Sequence, residues 1–266
     1  MSEQVIAVKA PRRADIRHAS FNPDRAQEYF QSRVQSRAIK RVNPQAERTF
    51  WQEKGGRVRH LYDRVGGAIA QRFGLEPLEY QSGAVRVAEF TSDVTEVCNV
   101  NSGLVLVGFA SLNGPDGSEG EKYLAHGLAH LYQSKTASGR VGLRERNGAG
   151  RLFNEVVTEL VAQEALAEVD PDHHTDIPTT RLKEIALFDA LCDQLVQRGV
   201  TDSISQAHQI ARKAAWGDES DFQRWQELLR KGYPESIEAI SNLSKAKSGQ
   251  ESEKLSELDW IINYGK

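Results

Sequence analysis

A helical segment that carries two histidines constrains the fold of this chain more than any other stretch. In residues 124–131, leucines recur at positions 124, 128 and 131, a spacing that predicts an amphipathic helix. His126 and His130 lie four residues apart on it, so their side chains stand one above the other on one face. Two imidazoles in this arrangement can bind one metal ion.

A second helical segment, residues 152–160, follows after one loop and carries Glu155 and Glu159. A tetrahedral metal site of catalytic type needs three protein ligands and an open position for water or substrate. We therefore predict His126, His130 and Glu155 as the metal ligands. Glu159 lies one turn beyond Glu155, and we expect it to accept a hydrogen bond from the far N–H of one histidine and so to fix the orientation of that ring.

The combined pattern resembles a known family. His-x-x-x-His, followed by Asn-Glu-x-x-Thr-Glu at residues 154–159, resembles the gluzincin, or thermolysin-like, zinc metallopeptidases over roughly residues 57–168. The resemblance implies that Zn²⁺ is the cofactor, held by the two histidines and the first glutamate, and that a peptide or protein is the substrate or ligand. In the family, the residue after the first histidine is a general-base glutamate. This chain has Gly127 there.

The hydrophobic period changes from that of a helix to that of a strand at residue 84. Residues 84–90 and 96–101 alternate, and residues 103–109 form a continuous apolar run of strand length. Three strands in close succession favour a small, largely antiparallel sheet. Helical periodicity dominates after residue 168, so we predict an α+β fold with a mainly α-helical C-terminal part. The gluzincin resemblance implies that this fold is zincin-like and includes the metal-bearing helix.

Asparagine–proline pairs indicate where two N-terminal helices begin. Asn22 and Asn43 are each followed by proline, which suits a cap followed by the first helical position. The first of these helices is expected to reach about residue 40. The predicted organisation is a basic flexible arm (1–20), N-terminal helices (21–56), a zincin-like metallopeptidase domain with a helical C-terminal part (57–244), and a linker with a terminal helix (245–266).

Charge is unevenly distributed along the chain. Residues 1–64 carry 14 Lys/Arg and 7 Asp/Glu, whereas the whole chain carries 34 and 37, so the remainder is acidic. The basic N-terminal region could bind nucleic acid or another anionic partner, or could dock on the acidic remainder. The sequence leaves these alternatives open.

Cysteine usage and hydropathy bear on location. Cys98 and Cys192 lie in apolar surroundings and are expected to be buried thiols, so a reducing, cytoplasmic compartment is predicted. The longest apolar run, residues 103–112, is too short to span a bilayer, and no membrane span is expected.

Gly127 decides which function the sequence favours. General-base assistance is typically worth about 10²–10⁴-fold, and glycine has no group to provide it. The favoured function is therefore a metallopeptidase-like zinc-binding protein that is catalytically impaired or inactive. The alternatives are an active zinc-dependent peptidase or hydrolase with another base, an altered copy of such an enzyme, and a metal-free binding or assembly protein that uses its basic arm.

The identity of residue 127 also bears on stability. Glycine inside a helix costs about 1 kcal/mol relative to alanine. From the sequence alone, Gly127→Glu is therefore expected to stabilise its helix and to create or increase peptidase activity. The simplest alternative is that His126 and His130 are hydrogen-bonded helix residues without a metal.

Overall fold

The fold was obtained as a computed structural model that describes residues 19–91, 96–114, 118–137, 139–171, 181–245 and 252–265. Within these ranges, eleven helices accompany one four-stranded sheet. The predicted α+β class is therefore confirmed. Residues 1–18 of the basic arm predicted for residues 1–20, and residues 246–251 of the predicted linker, lie outside the described ranges.

Along the chain, helices occur before, between and after the strands. The strands are β1 (Ile39–Lys40), β2 (Val85–Phe90), β3 (Glu96–Asn99) and β4 (Leu104–Gly108). The helices are α1 (Pro23–Gln35), α2 (Pro44–Glu53), α3 (Gly55–Phe73), α4 (Phe109–Asn113), α5 (Ser118–Leu131), α6 (Arg151–Val169), α7 (Leu182–Gln197), α8 (Ile204–Trp216), α9 (Glu219–Gly232), α10 (Ile237–Leu243) and α11 (Ser252–Tyr264).

Both predicted asparagine caps are confirmed. The Asn22 side chain accepts a hydrogen bond from the backbone N–H of Arg25, and Asn43 caps α2 in the same manner. The predicted end of the first helix was wrong, because α1 stops at residue 35. Arg37 adopts a left-handed conformation with φ of 58°, and the chain then turns into β1, where Ile39 pairs with β2.

The sheet has the strand order β1-β2-β4-β3 and is mixed. β1 pairs with β2, and β3 with β4, in antiparallel orientation, whereas the central β2–β4 pair is parallel. Two of the three strand pairs are therefore antiparallel, whereas the pair at the centre of the sheet is parallel. The reason is that β3 crosses to the far side of β4 instead of pairing with β2, which leaves β2 and β4 as neighbours that run in the same direction.

Strand β4 is buried on both faces, which explains its continuous apolar run. Val105 and Val107 contribute to the main hydrophobic core, whereas Leu104 and Leu106 belong to a smaller cluster with Phe30 of α1. Because side chains alternate along a strand, these two pairs point to opposite sides of the sheet. We call the side that carries Val105 and Val107 the main-core face.

Helix α5 packs on the main-core face against β3 and β4, and α3 and α6 pack against α5. The main core continues from Phe50 in α2 through Phe188 in α7 and Trp225 in α9 to Ile262 in α11. The helices after residue 181 therefore share one core with the sheet and with α5.

Two observations bear on the predicted environment. Cys192 is buried, whereas Cys98 is half-buried, and both thiols are free. None of the helices in the described ranges is both long and apolar enough to cross a membrane.

Helix α5 approaches the sheet so closely at Gly127 that any larger residue would force the surrounding side chains to move. A Cβ atom at position 127 would lie 2.5 Å from Cγ1 of Val105, whose side chain is fully buried. Seven residues earlier, a Cβ atom at Gly120 would lie 2.5 Å from the backbone nitrogen of Leu112. The expectation that Gly127→Glu stabilises the helix is therefore wrong, because overpacking of the core outweighs the gain in helix propensity.

We predict that Gly127→Ala lowers the free energy of unfolding by about 1–3 kcal/mol, which is the usual cost of an overpacked core. The control is Gly67→Ala in α3, where a Cβ atom meets nothing within 4 Å. That substitution should raise the free energy of unfolding by up to about 1 kcal/mol. Urea denaturation of both variants measures the difference.

A double variant tests the cause. Val105→Ala should remove most of the penalty of Gly127→Ala, so the two substitutions should be strongly non-additive in a double-mutant cycle. Equal stabilisation by alanine at positions 67 and 127 would contradict the close approach of α5 to β4.

Candidate metal centre

The predicted ligands come together between α5 and α6, which pack side by side. His126 is 2% exposed, and His130 and Glu155 are half-buried. Helical spacing aligns the two histidines on α5, and the packing of α6 brings Glu155 opposite them. The amphipathic pattern of both helices drives this packing, because their apolar residues enter the main core.

Three donor atoms form a compact triangle at this place. His126 Nε2 and His130 Nε2 lie 3.1 Å apart, and each is 3.4 Å from Glu155 Oε2. Ligand atoms at about 2.0–2.1 Å from a tetrahedral zinc ion are about 3.3 Å from one another. The three side chains could therefore hold a metal ion without large rearrangement.

Each histidine has an oxygen partner on its other ring nitrogen. Nδ1 of His126 lies 2.7 Å from Glu159 Oε2, and Nδ1 of His130 lies 3.0 Å from Gln133 Oε1. A proton on each Nδ1 would let both rings donate to these oxygens and would leave the lone pairs of Nε2 free for a metal ion. The structure thus places Glu159 against the far nitrogen of one histidine, as the sequence pattern predicts.

Gln133 connects this site to α6 and was missed in the sequence. Its Nε2 donates to Asn154 Oδ1 at 3.0 Å and to Thr158 Oγ1 at 2.8 Å, and Asn154 Nδ2 donates back to Gln133 Oε1 at 3.1 Å. All three side chains are buried. The sequence feature that could have revealed Gln133 is its position three residues after His130, which places both side chains on the same side of the helix end.

Arg181 also lies at the site, although no local pattern marks it. It precedes α7, and its Nη1 is 3.3 Å from Glu155 Oε2 while its Nε is 3.8 Å from Glu159 Oε2. The guanidinium therefore faces both carboxylates of α6. Only the folding of α7 against α6 brings it there, because 22 positions separate it from Glu159 in the sequence.

A third carboxylate, that of Glu96, comes from the edge strand β3. Its Oε1 lies 3.0 Å from the point that a Cβ atom of residue 127 would occupy. Glu96 also interacts electrostatically with His126 and His130. No sequence pattern marked this residue, since it lies in a short strand 30 positions before His126.

Burial and charge shift the pKa values of the clustered groups. Burial and Arg181 lower the pKa of His126, but Glu96 and the hydrogen bonds to α6 outweigh them and raise it to about 9. Burial raises the pKa of Glu155, but the histidines and Arg181 outweigh it and hold that pKa well below its usual range. Without a metal, the cluster is therefore a buried set of mutually stabilising ion pairs.

The formal charge of the site suits a divalent cation. Counted formally with both histidines neutral and every carboxylate ionised, Glu96, Glu155 and Glu159 contribute three negative charges, and Arg181 contributes one positive charge. Buried charges require partners, so two negative charges remain to be balanced. In the metal-free protein a protonated His126 balances part of this excess, and a bound divalent ion would replace that proton.

The structure brings all four predicted site residues together: His126, His130 and Glu155 converge, and Glu159 contacts the first of them. Gly127 lies on the side of α5 that faces β4. Compared with protein-family models, curated proteins and solved structures, the chain matches none. The chemistry of the centre is therefore inferred from its own geometry.

We predict that the metal-free protein loses stability as the pH rises from about 6.5 to about 9. The pKa of His126 is higher in the folded chain than its ordinary value of 6.5. Its protonation therefore stabilises the fold fully below about pH 6.5, and this contribution disappears as the pH rises through about 9. Urea unfolding of chelator-treated protein across this range measures the effect.

Two variants assign this pH dependence. His126→Gln should show a much flatter profile than the wild type between these pH values. His60→Gln, which alters an exposed histidine of α3, should keep the wild-type profile. If His126→Gln retains the full slope, another group titrates and the assignment to His126 is wrong.

Proposed function

We propose that this protein binds Zn²⁺ through His126, His130 and Glu155 and is metallopeptidase-like. The observation that carries the proposal is the triangle of two imidazole nitrogens and one carboxylate oxygen with 3.1–3.4 Å sides. Two nitrogens and one oxygen are a donor set that suits zinc, whereas magnesium and calcium prefer oxygen ligands only. Zinc is therefore the expected ion.

The proposal includes a zincin-like arrangement, on the gluzincin resemblance of the sequence. What supports it is the placement of α5, the histidine-bearing helix, on the sheet beside β3 and β4, with α6 along its other side. The order of strands, histidine helix and glutamate helix along the chain agrees with that resemblance. The ligand of such a centre is proposed to be a peptide or protein segment.

Zinc, when bound, supplies Lewis acidity that polarises a carbonyl group and makes water a stronger acid. The side chains around it have separate tasks. Glu159 and Gln133 orient the two imidazoles, because each accepts a hydrogen bond from a ring Nδ1. Arg181 places a positive charge beside Glu155, where it can stabilise negative charge that develops on a substrate oxygen.

Peptide hydrolysis at this centre also needs a proton acceptor. Residue 127 cannot serve, since glycine has no side chain and the contact with Val105 leaves no space for one. A protein that lacked any other acceptor would be the catalytically impaired form favoured by the sequence. An active zinc hydrolase is the second candidate, and the observation that favours it is the Glu96 carboxylate next to Gly127.

We predict about one zinc ion per chain in the purified protein. His126→Ala and Glu155→Ala should each abolish stoichiometric binding, because each removes one of only three protein ligands. Glu159→Gln should weaken binding by roughly 10–100-fold without abolishing it, since this residue orients a ligand. Elemental analysis gives the stoichiometry, and competition with a chromogenic chelator gives the affinity.

A surface variant of the same helix is the control. Glu168→Gln changes an exposed glutamate of α6 and should bind zinc like the wild type. Wild-type protein that takes up no zinc at micromolar concentrations, or unchanged binding after His126→Ala and Glu155→Ala, would show that the proposed site is not a metal site.

A further inference from the structure

We infer that Glu96 of β3 is the general base of this centre, in place of the side chain that residue 127 lacks. The inference rests on the proposed zinc site and deepens it, because it assigns the proton acceptor of the reaction. It requires that the Glu96 carboxylate faces the ligand cluster, that it is not itself a ligand, and that no other residue can occupy its place.

The space beside Gly127 is occupied by neighbouring side chains. Between α5 and the sheet, Val105 excludes any side chain at position 127, and the Glu96 carboxylate oxygen lies 3.0 Å from where a Cβ atom would stand. A glutamate side chain at position 127 would have to pass through this region, which the Glu96 carboxylate of β3 fills instead. Gly127 is required by this packing, which explains the residue without assuming an altered copy of an enzyme.

The pairing of β3 with β4 fixes the side of the sheet to which Glu96 projects. In the antiparallel β3–β4 pair, Glu96 lies opposite Val107 and Cys98 lies opposite Val105. Both valines point into the main core. Cross-strand partners project to the same side of a sheet, so Glu96 projects towards α5 and not towards α1. Val97, the intervening residue, packs against the smaller cluster on the opposite side.

Glu96 lies near the proposed metal ligands but outside their donor group. Among the described residues, the donor atoms within 4.8 Å of one another are those of His126, His130 and Glu155, and Glu96 is not among them. It nevertheless interacts electrostatically with both histidines. Glu96 is thus near the ligands without belonging to the donor group, which leaves its carboxylate free to act on water at the centre.

The electrostatic surroundings suit proton transfer. Burial raises the pKa of Glu96, although the neighbouring histidines lower it in part. Glu155 raises the same pKa and Arg181 lowers it. A carboxylate with a raised pKa holds a proton more strongly, which favours transfer of a proton from water, whereas Glu155 and Glu159, whose pKa values are lowered, are suited to remain ionised.

The proposed step is a hydrolysis in two proton transfers. Glu96 accepts one proton from water while the water oxygen bonds to the carbonyl carbon of a peptide, and the π electron pair of the carbonyl moves to its oxygen. Glu96 then donates that proton to the amide nitrogen as the C–N bond breaks. The products are a carboxylic acid and an amine, the carboxylate of Glu96 is restored, and no oxidant or reductant takes part.

The test compares Glu96→Gln with Glu89→Gln, an exposed glutamate of strand β2 in the same sheet. Both proteins are loaded with Zn²⁺ and, separately, with Co²⁺. We expect both to bind one ion per chain. Cleavage of a broad peptide library by the Glu96→Gln protein should fall by about 10²–10⁴-fold, the usual value of general-base assistance. The Glu89→Gln protein should retain wild-type cleavage.

Cobalt absorption provides a second readout that does not need turnover. The visible spectrum of the Co²⁺ protein changes with pH when solvent at the ion ionises. Glu96→Gln should move this change to lower pH, because it removes a negative charge that opposes ionisation. Glu89→Gln should leave it in place. This titration tests whether the Glu96 carboxylate faces the solvent at the ion, even where wild-type cleavage is below detection.

Each contrary outcome has a distinct meaning. Loss of bound metal in Glu96→Gln would make Glu96 a ligand and overturn its role as base, while the zinc site would stand. Full metal binding with an unmoved cobalt titration would also overturn the inference, because the carboxylate would not face the solvent at the ion. A wild-type protein that binds neither ion would overturn the proposed function together with this inference.

Discussion

The approach of helix α5 to strand β4 at Gly127 is the contact on which the rest of the site depends. Because no Cβ atom separates the helix from Val105, the helix lies directly on the sheet, and the edge strand β3 comes within reach of the ligand cluster. The strand can then contribute Glu96 beside the histidines. A larger residue at position 127 would push the helix outward and separate the histidines from this carboxylate.

The cluster itself is stabilised by pairing of buried charges. Burying an isolated ionised group is costly, and Glu159 accordingly faces the His126 imidazole while Glu155 faces the Arg181 guanidinium. The hydrogen bonds of Glu159 and Gln133 to the histidines fix the direction of the two rings. An arrangement that keeps metal-free histidines buried and oriented is also one that is ready for a metal ion, since little reorganisation is required on binding.

Local sequence patterns predicted those parts of the site that depend on a single helix. The spacing of His126 and His130, and that of Glu155 and Glu159, follows from 3.6 residues per turn and holds in any helix with this sequence. The asparagine caps of α1 and α2 were predictable for the same reason, because a cap contacts residues two or three positions away. The end of α1 was not predictable, since the pairing of β1 with the distant strand β2 competes with the helix there.

The sequence by itself determined the α+β class, the two site helices and the side chains that each one presents, because these depend on local periodicity. Only the tertiary structure decided what Gly127 means and which other groups reach the site. The sheet order places β3 beside β4, and this pairing turns Glu96 towards α5. Arg181 arrives through the packing of α7 against α6. Contacts between residues far apart in the chain depend on how elements pack, and no local spacing encodes that packing.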